Sequence, residues 1–149
     1  MVEDLGVGLH VVPLLDETNH VENLSHVMSG ADGVFHLAGL FDPSPEGLSR
    51  MTNLHVFGTR ALLRAAELAG VARFVHCSSS VTVGFSETLP NKDEVCENWA
   101  MDPNQIYGRT GALRHYYNTK IQSEELVLGW ENLETLVVNP DYILGPLDV

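Results

Sequence analysis

The chain has 149 residues, 44% hydrophobic and 19% charged, a composition that fits one globular domain and excludes a disordered segment. Twenty acidic residues against eight basic ones leave a net charge of −12, which repels phosphate backbones and anionic headgroups, so neither nucleic acid nor a membrane surface is an expected partner. No apolar run approaches the roughly 20 residues that cross a bilayer, and the acidic opening Met1-Val2-Glu3-Asp4 is unlike the basic start of a signal peptide, so a cytoplasmic location is expected.

Taken in order, apolar runs alternate with helical stripes. Leu9 to Leu15 (LHVVPLL) is a short strand-like run interrupted by Pro13. Val21, Leu24, Val27 and Met28 form a helical stripe within Asn19 to Ser29. Gly33 to Ala38 (GVFHLA) is a compact apolar strand, followed by a loop at Asp42-Pro43-Ser44-Pro45. Thr52 to Ala69 is the strongest helical pattern, with Leu54, Phe57, Ala61, Leu62, Ala65 and Leu68 on its stripe and Gly70 placed as its C-cap. Arg73 to Ser78 (RFVHCS) is a further strand, a polar loop runs from about Phe85 to Asn104, and a helix is expected from about Gly111 to Gly129. Leu133 to Asn139 (LETLVVN) is the last strand, broken by Pro140. Strand and helix in strict alternation predict α/β architecture, a parallel sheet covered by helices on both faces. In such folds ligands lie at the carboxyl ends of the strands. Gly39 to Pro45, Ser79 to Gly84 and Pro140 to Pro146 are the loops that leave those ends.

Tyr116 and Lys120 stand four residues apart in the last helix, on one face and about one turn from each other. A phenol held beside an ammonium gives up its proton more readily, because the positive charge favours the phenolate. Such a pair suits general acid–base catalysis near neutral pH. Tyr117, three residues from Lys120, is also within reach of it. Ser78-Ser79-Ser80 ends the third apolar run, where a hydroxyl can donate to a substrate carbonyl and accept from a tyrosine. The small residues of His36-Leu37-Ala38-Gly39 would let a flat ring or a ribose approach the backbone, and Asn139 to Pro146 is a stiff loop whose backbone groups can hold a carboxamide. The seven histidines include no H-x-x-x-H pair and none at a ligand spacing from Cys77 or Cys96, so no metal site is expected. His36 and His76 read as packed strand residues, and two reduced thiols fit a cytoplasmic protein. No G-x-S-x-G elbow supports a serine hydrolase.

Together these segments resemble the extended branch of the short-chain dehydrogenase/reductase superfamily, the NAD-dependent epimerase/dehydratase family that includes dihydroflavonol-type reductases and hydroxysteroid dehydrogenases. GADGVFHLAG, FGTRALLRAAELAGVARFVHCSSS, YYNTK followed by Glu124, and VVNPDYILGP match in order, from about Leu9 to Pro146. The resemblance implies a partial NAD(P)-binding Rossmann domain over residues 1–149, a doubly wound three-layer α/β/α sheet. It implies NAD or NADP as cofactor and a small-molecule substrate. It implies Tyr116 as acid/base, Lys120 as its partner and a contact of the nicotinamide ribose, and Ser79 as the catalytic serine, with Ser78 and Ser80 as alternatives if the register slips. Leu14, Leu37, Ala38 and Gly39 would line the cofactor, and Pro140, Asp141, Tyr142 and Ile143 would border the nicotinamide. A homodimer through the 52–69 and 111–129 helices is a further implication. Reduction, epimerisation and dehydration use the same residues. A non-catalytic NAD(P)-binding sensor or scaffold is the alternative.

The chain departs from the family pattern in three places. No G-x-x-G-x-x-G loop is present, and Gly6-Val7-Gly8 reads as a turn. Pro13 replaces an Asp that commonly contacts adenine, and His55 stands where an Asn is usual, three residues before the Gly58-Thr59 pair. The expected molecule is therefore a segment of a longer protein, without the pyrophosphate loop and the C-terminal substrate region, and inactive by itself.

Overall fold

Among the described residues three parallel strands carry the architecture, and their order in the sheet is their order in the chain. They were located in a computed structural model that describes residues 8–14, 18–83, 112–141 and 143–145. Strand β1 is Gly33–His36, β2 is Arg73–Cys77 and β3 is Glu134–Val138. Val34 pairs with Phe74 and His36 with His76 across the first ladder, and Phe74 pairs with Thr135 and Cys77 with Val138 across the second. Helix α1 (Thr18–Met28) precedes β1, and α4 (Ala112–Leu128) precedes β3.

Between β1 and β2 the chain is one continuous helical rod. It comprises α2 (Gly47–Thr52), a π-helical segment (Asn53–Gly58) and α3 (Thr59–Ala69), and the residues at both joints keep right-handed helical angles. The rod begins five residues before the expected Thr52. It ends where Gly70 enters the left-handed region at φ 70°, which glycine tolerates without a Cβ penalty, and there the Val71 amide closes onto the Ala66 carbonyl.

Period-two alternation in the strands decides which side chains face the helices. Phe74 and His76 are buried while Arg73 is exposed. The core joins Val21 and Leu24 of α1, Ala61, Leu62, Leu63, Ala65 and Ala66 of α3, Phe74, Val127 of α4 and Leu133. The opposite face of the sheet is open: Phe35 is 73% exposed, and Leu136 and Val138 are nearly half exposed. The described residues thus supply the sheet and one of the two expected helical layers.

The expected strand at Leu9–Leu15 does not form over residues 8–14, which carry no regular structure. Pro13 offers no amide to a ladder, and Leu9 and Val11 are exposed. Val12 and Leu14 nevertheless pack against the core. Gly58 lies against this segment, where a Cβ would meet that of Leu14 in van der Waals contact at 3.4 Å.

Candidate active site

The loops leaving β2 and β3 meet the N-terminal half of α4 around a cleft of about 490 Å³. Its walls are Phe41, Ser79, Ser80, Val81, Leu113, Tyr116, Pro140 and Asp141. Ser79 is extended, at φ −161° and ψ 149°, and its Oγ accepts from the Val81 amide at 3.4 Å, capping the short 3₁₀ turn Ser80–Thr82. Ser80 is fixed twice against the β3 loop: its amide donates to the Pro140 carbonyl at 2.9 Å and its hydroxyl to Asp141 Oδ1 at 3.0 Å. Ser78 is buried, and its Oγ has no partner among the described residues.

Helix α4 separates the two adjacent tyrosines. Tyr117 is buried at 2% exposure, whereas Tyr116 is half-buried and lines the cleft. The Tyr116 ring is held edge-on by Phe41 and His55, each with a centroid 5.5 Å away. One turn on, Lys120 is buried, with Nζ 6.0 Å from the Tyr116 ring centroid. Burial lowers the pKa of the Lys120 ammonium from its usual value, and the negative potentials of Cys77 and Glu124 oppose that shift. Nζ donates to the Cys77 carbonyl at 3.3 Å, and a Cβ on Gly39 would stand 3.5 Å from it. An ammonium has three protons, so donors remain toward Gly39 at the end of β1. That donor set fits a vicinal diol such as a ribose.

The structure therefore brings Ser79, Tyr116, Pro140 and Asp141 onto one cleft, with Lys120 and Gly39 together beside it. Leu37 and Ala38 are exposed at the end of β1. Leu14 lies against Gly58. Ile143 is 77% exposed and does not line the cleft, and Tyr142 lies outside the described residues. Phe41 and Leu113 enter the cleft without having been singled out in the sequence, since only the fold brings their loop and helix together.

Three buried histidines support this arrangement, each against a hydroxyl. His36 Nε2 is 2.9 Å from Thr59 Oγ1, and His76 Nε2 is 3.1 Å from Ser123 Oγ. His55 Nε2 accepts from the Leu40 amide at 3.0 Å, so its Nδ1 carries the proton and donates to Thr119 Oγ1 at 2.8 Å. Thr119 in turn donates to the Tyr116 carbonyl at 2.8 Å. His55 thus ties the loop after Gly39 to the turn that carries Tyr116 and Lys120. Its position in a π-helical segment fits the tendency of such segments to occur at functional sites. Among the described residues no group of three His, Cys, Asp or Glu side chains is placed to hold a metal. No described helix is long and apolar enough to cross a membrane. Cys77 is a free thiol, and Cys96 lies outside the described residues.

Comparison with known proteins shows the family and the fold. The profile of a family described as "NAD dependent epimerase/dehydratase family" matches residues 3–146. The sterol demethylase protein B of Methylococcus capsulatus is 28% identical over 144 residues, covering 95% of this chain and 40% of that protein. A farnesyl-dihydroquinoline-oxide ketoreductase of Stigmatella aurantiaca is 30% identical over 143 residues, covering 95% and 40%. Among solved structures, RMD from Pseudomonas aeruginosa complexed with NADPH aligns with a TM-score of 0.64 at 25% identity, over 94% of this chain and 44% of that one. A short-chain dehydrogenase/reductase superfamily protein from Agrobacterium tumefaciens with bound NAD aligns with a TM-score of 0.55 at 28% identity, over 83% and 34%. The chain spans about two fifths of the length of the curated relatives it matches.

Proposed function

The chain belongs to the NAD dependent epimerase/dehydratase family, and on that premise we propose that it is the catalytic segment of an oxidoreductase, epimerase or dehydratase that acts on a carbonyl or alcohol carbon with NAD or NADP. The observation that carries the reading is the convergence of Ser79 and Tyr116 on one cleft, with the Lys120 ammonium one helical turn behind. NAD or NADP, held in part by Lys120 and the Leu37 to Gly39 segment, would supply the hydride chemistry. Tyr116 moves the proton to or from the substrate oxygen, and Ser79 orients that oxygen by hydrogen bonding. Lys120 holds positive charge beside the phenol and presents donors to the ribose. Leu37, Ala38 and Gly39 would line the cofactor, and Pro140 and Asp141 would border its nicotinamide.

Deuterium transfer tests the reading. The full-length protein is incubated with NADH or NADPH deuterated at C4 and a panel of ketones, aldehydes and sugar nucleotides. Deuterium on the product carbon is expected of a reductase; for an epimerase or dehydratase the label is placed instead on the carbinol carbon of the sugar nucleotide, supplied with NAD or NADP, and its transfer to the cofactor and back to the product is expected. Tight cofactor binding with no transfer to or from any of them would favour the sensor or scaffold reading. These 149 residues contain no Gly-rich pyrophosphate loop. By themselves they are expected to bind NAD and NADP weakly, and sub-micromolar affinity by isothermal titration would contradict that. Pairing through the rod and α4 to form a homodimer is part of the same proposal, read out by sedimentation.

A further inference from the structure

Glu124 lies on α4 one turn beyond Lys120, away from the cleft, and the chemistry proposed above makes no use of it. Its Oε1 is nonetheless a convergence point. Thr82 Oγ1 is 2.5 Å from it and Asn139 Nδ2 donates to it at 2.7 Å. The same two residues hold the backbone of Ser79: the Thr82 amide donates to the Ser79 carbonyl at 3.1 Å and Asn139 Nδ2 lies 3.3 Å from it, while the single hydroxyl proton of Thr82 goes to Glu124. Asn139 Nδ2 also lies 2.8 Å from Thr82 Oγ1, so the two donors are coupled to each other. Thr82 is buried, and Glu124 and Asn139 are half-buried. Three elements meet here: the turn after β2 that carries Ser79, the end of β3, and the helix that carries Tyr116 and Lys120. A carboxylate accepting two donors makes stronger bonds than a neutral acceptor would.

We propose that Glu124, acting through Thr82 and Asn139, is a positioning residue that fixes the Ser79 turn relative to Tyr116 on α4. The inference rests on the reading of Ser79 as the serine that orients the substrate oxygen. Among the described residues the Ser79 side chain makes one long bond, at 3.4 Å to the Val81 amide, so its placement depends on how its backbone is held. The clamp is the set of side chains that ties this backbone to α4.

The test is a double-mutant cycle in the full-length protein. Glu124→Ala is expected to lower kcat by about 10- to 100-fold, the scale of a misplaced catalytic group. Glu124→Gln keeps an acceptor at Oε1 and should retain turnover within about threefold of wild type. In a Ser79→Ala background Glu124→Ala should change kcat by less than about threefold, because residues that act through one another are not additive. If Glu124→Ala does not fold, Thr82→Val takes its place with the same expected non-additivity. A readout without turnover accompanies these. Amide exchange at Val81 and Thr82 in the cofactor-free protein should quicken by about tenfold in Glu124→Ala and little in Glu124→Gln, since it reports local opening. Were Glu124 acting through its charge on Lys120, Glu124→Gln would lose as much activity as Glu124→Ala. That result, or full additivity with Ser79→Ala, overturns the proposal and leaves the reading of Ser79 intact. Unchanged turnover in Ser79→Ala alone would remove the reading of Ser79 and the proposal with it.

Discussion

Replacing Tyr116 with Phe in the full-length protein is expected to lower turnover by about 10²- to 10⁴-fold, the span that general acid–base catalysis contributes. The substitution removes one oxygen and keeps the ring. The edge-on contacts with Phe41 and His55, both at 5.5 Å, need only the ring, so the cleft and its neighbours stay as they are. Melting temperature and cofactor affinity are therefore expected to hold while kcat falls. The same loss in both kcat and kcat/KM would place the missing interaction in the transition state. A rate within a few fold of wild type would show that the proton travels by another group.

Acid is expected to destabilise this protein well before its carboxylates are titrated. Burial holds the pKa of His36 and His55 down to about 4 and that of His76 down to about 3, against an ordinary 6.5, and the nearby Lys120 charge pushes all three the same way. The rings are 1–3% exposed, and His36 and His76 lie 5.0 Å apart, centroid to centroid, so their charges would repel. As pH falls through 6.5 the unfolded chain takes up protons that the folded chain refuses, and stability drops until the folded values are reached. Between pH 7 and pH 5 the three together should cost on the order of 4 kcal/mol, discounting for their mutual coupling. That is a large share of the 5–15 kcal/mol typical of a domain. Urea unfolding at the two pH values measures it directly. A midpoint that does not move would mean that these rings are protonated in the folded protein or open to water.

Much of this was legible in the sequence, and the exceptions have physical causes. The α/β alternation, α1, α4, all three observed strands and the Gly70 cap followed from apolar spacing and turn chemistry, because those signals are local. The rod was read as starting at Thr52, not Gly47, because Pro43 and Pro45 sit just upstream and obscure the onset. Its π-helical segment is invisible in a pattern that still looks helical. The run Leu9–Leu15 has strand composition, but Pro13 breaks the ladder. At the site, Tyr116 and Lys120 were visible as a spacing, and Ser79 as the end of a strand. The choice of Tyr116 over Tyr117 followed from the family spacing, and the structure buries the second ring and sets the first against the cleft. His55 read as a departure from a pattern, whereas its ring bridges Leu40 and Thr119. Only the folded chain discloses that bridge, as it does the meeting of Glu124 with Asn139, since both join residues that the sequence keeps apart.

The most direct test is a crystal structure of the full-length protein with NAD or NADP and a substrate analogue. Ser79 Oγ and Tyr116 Oη are expected within about 3.2 Å of the same substrate oxygen, and Lys120 Nζ within that distance of a nicotinamide-ribose hydroxyl. A nicotinamide bound away from this cleft, or a substrate oxygen reached by neither hydroxyl, would contradict the account.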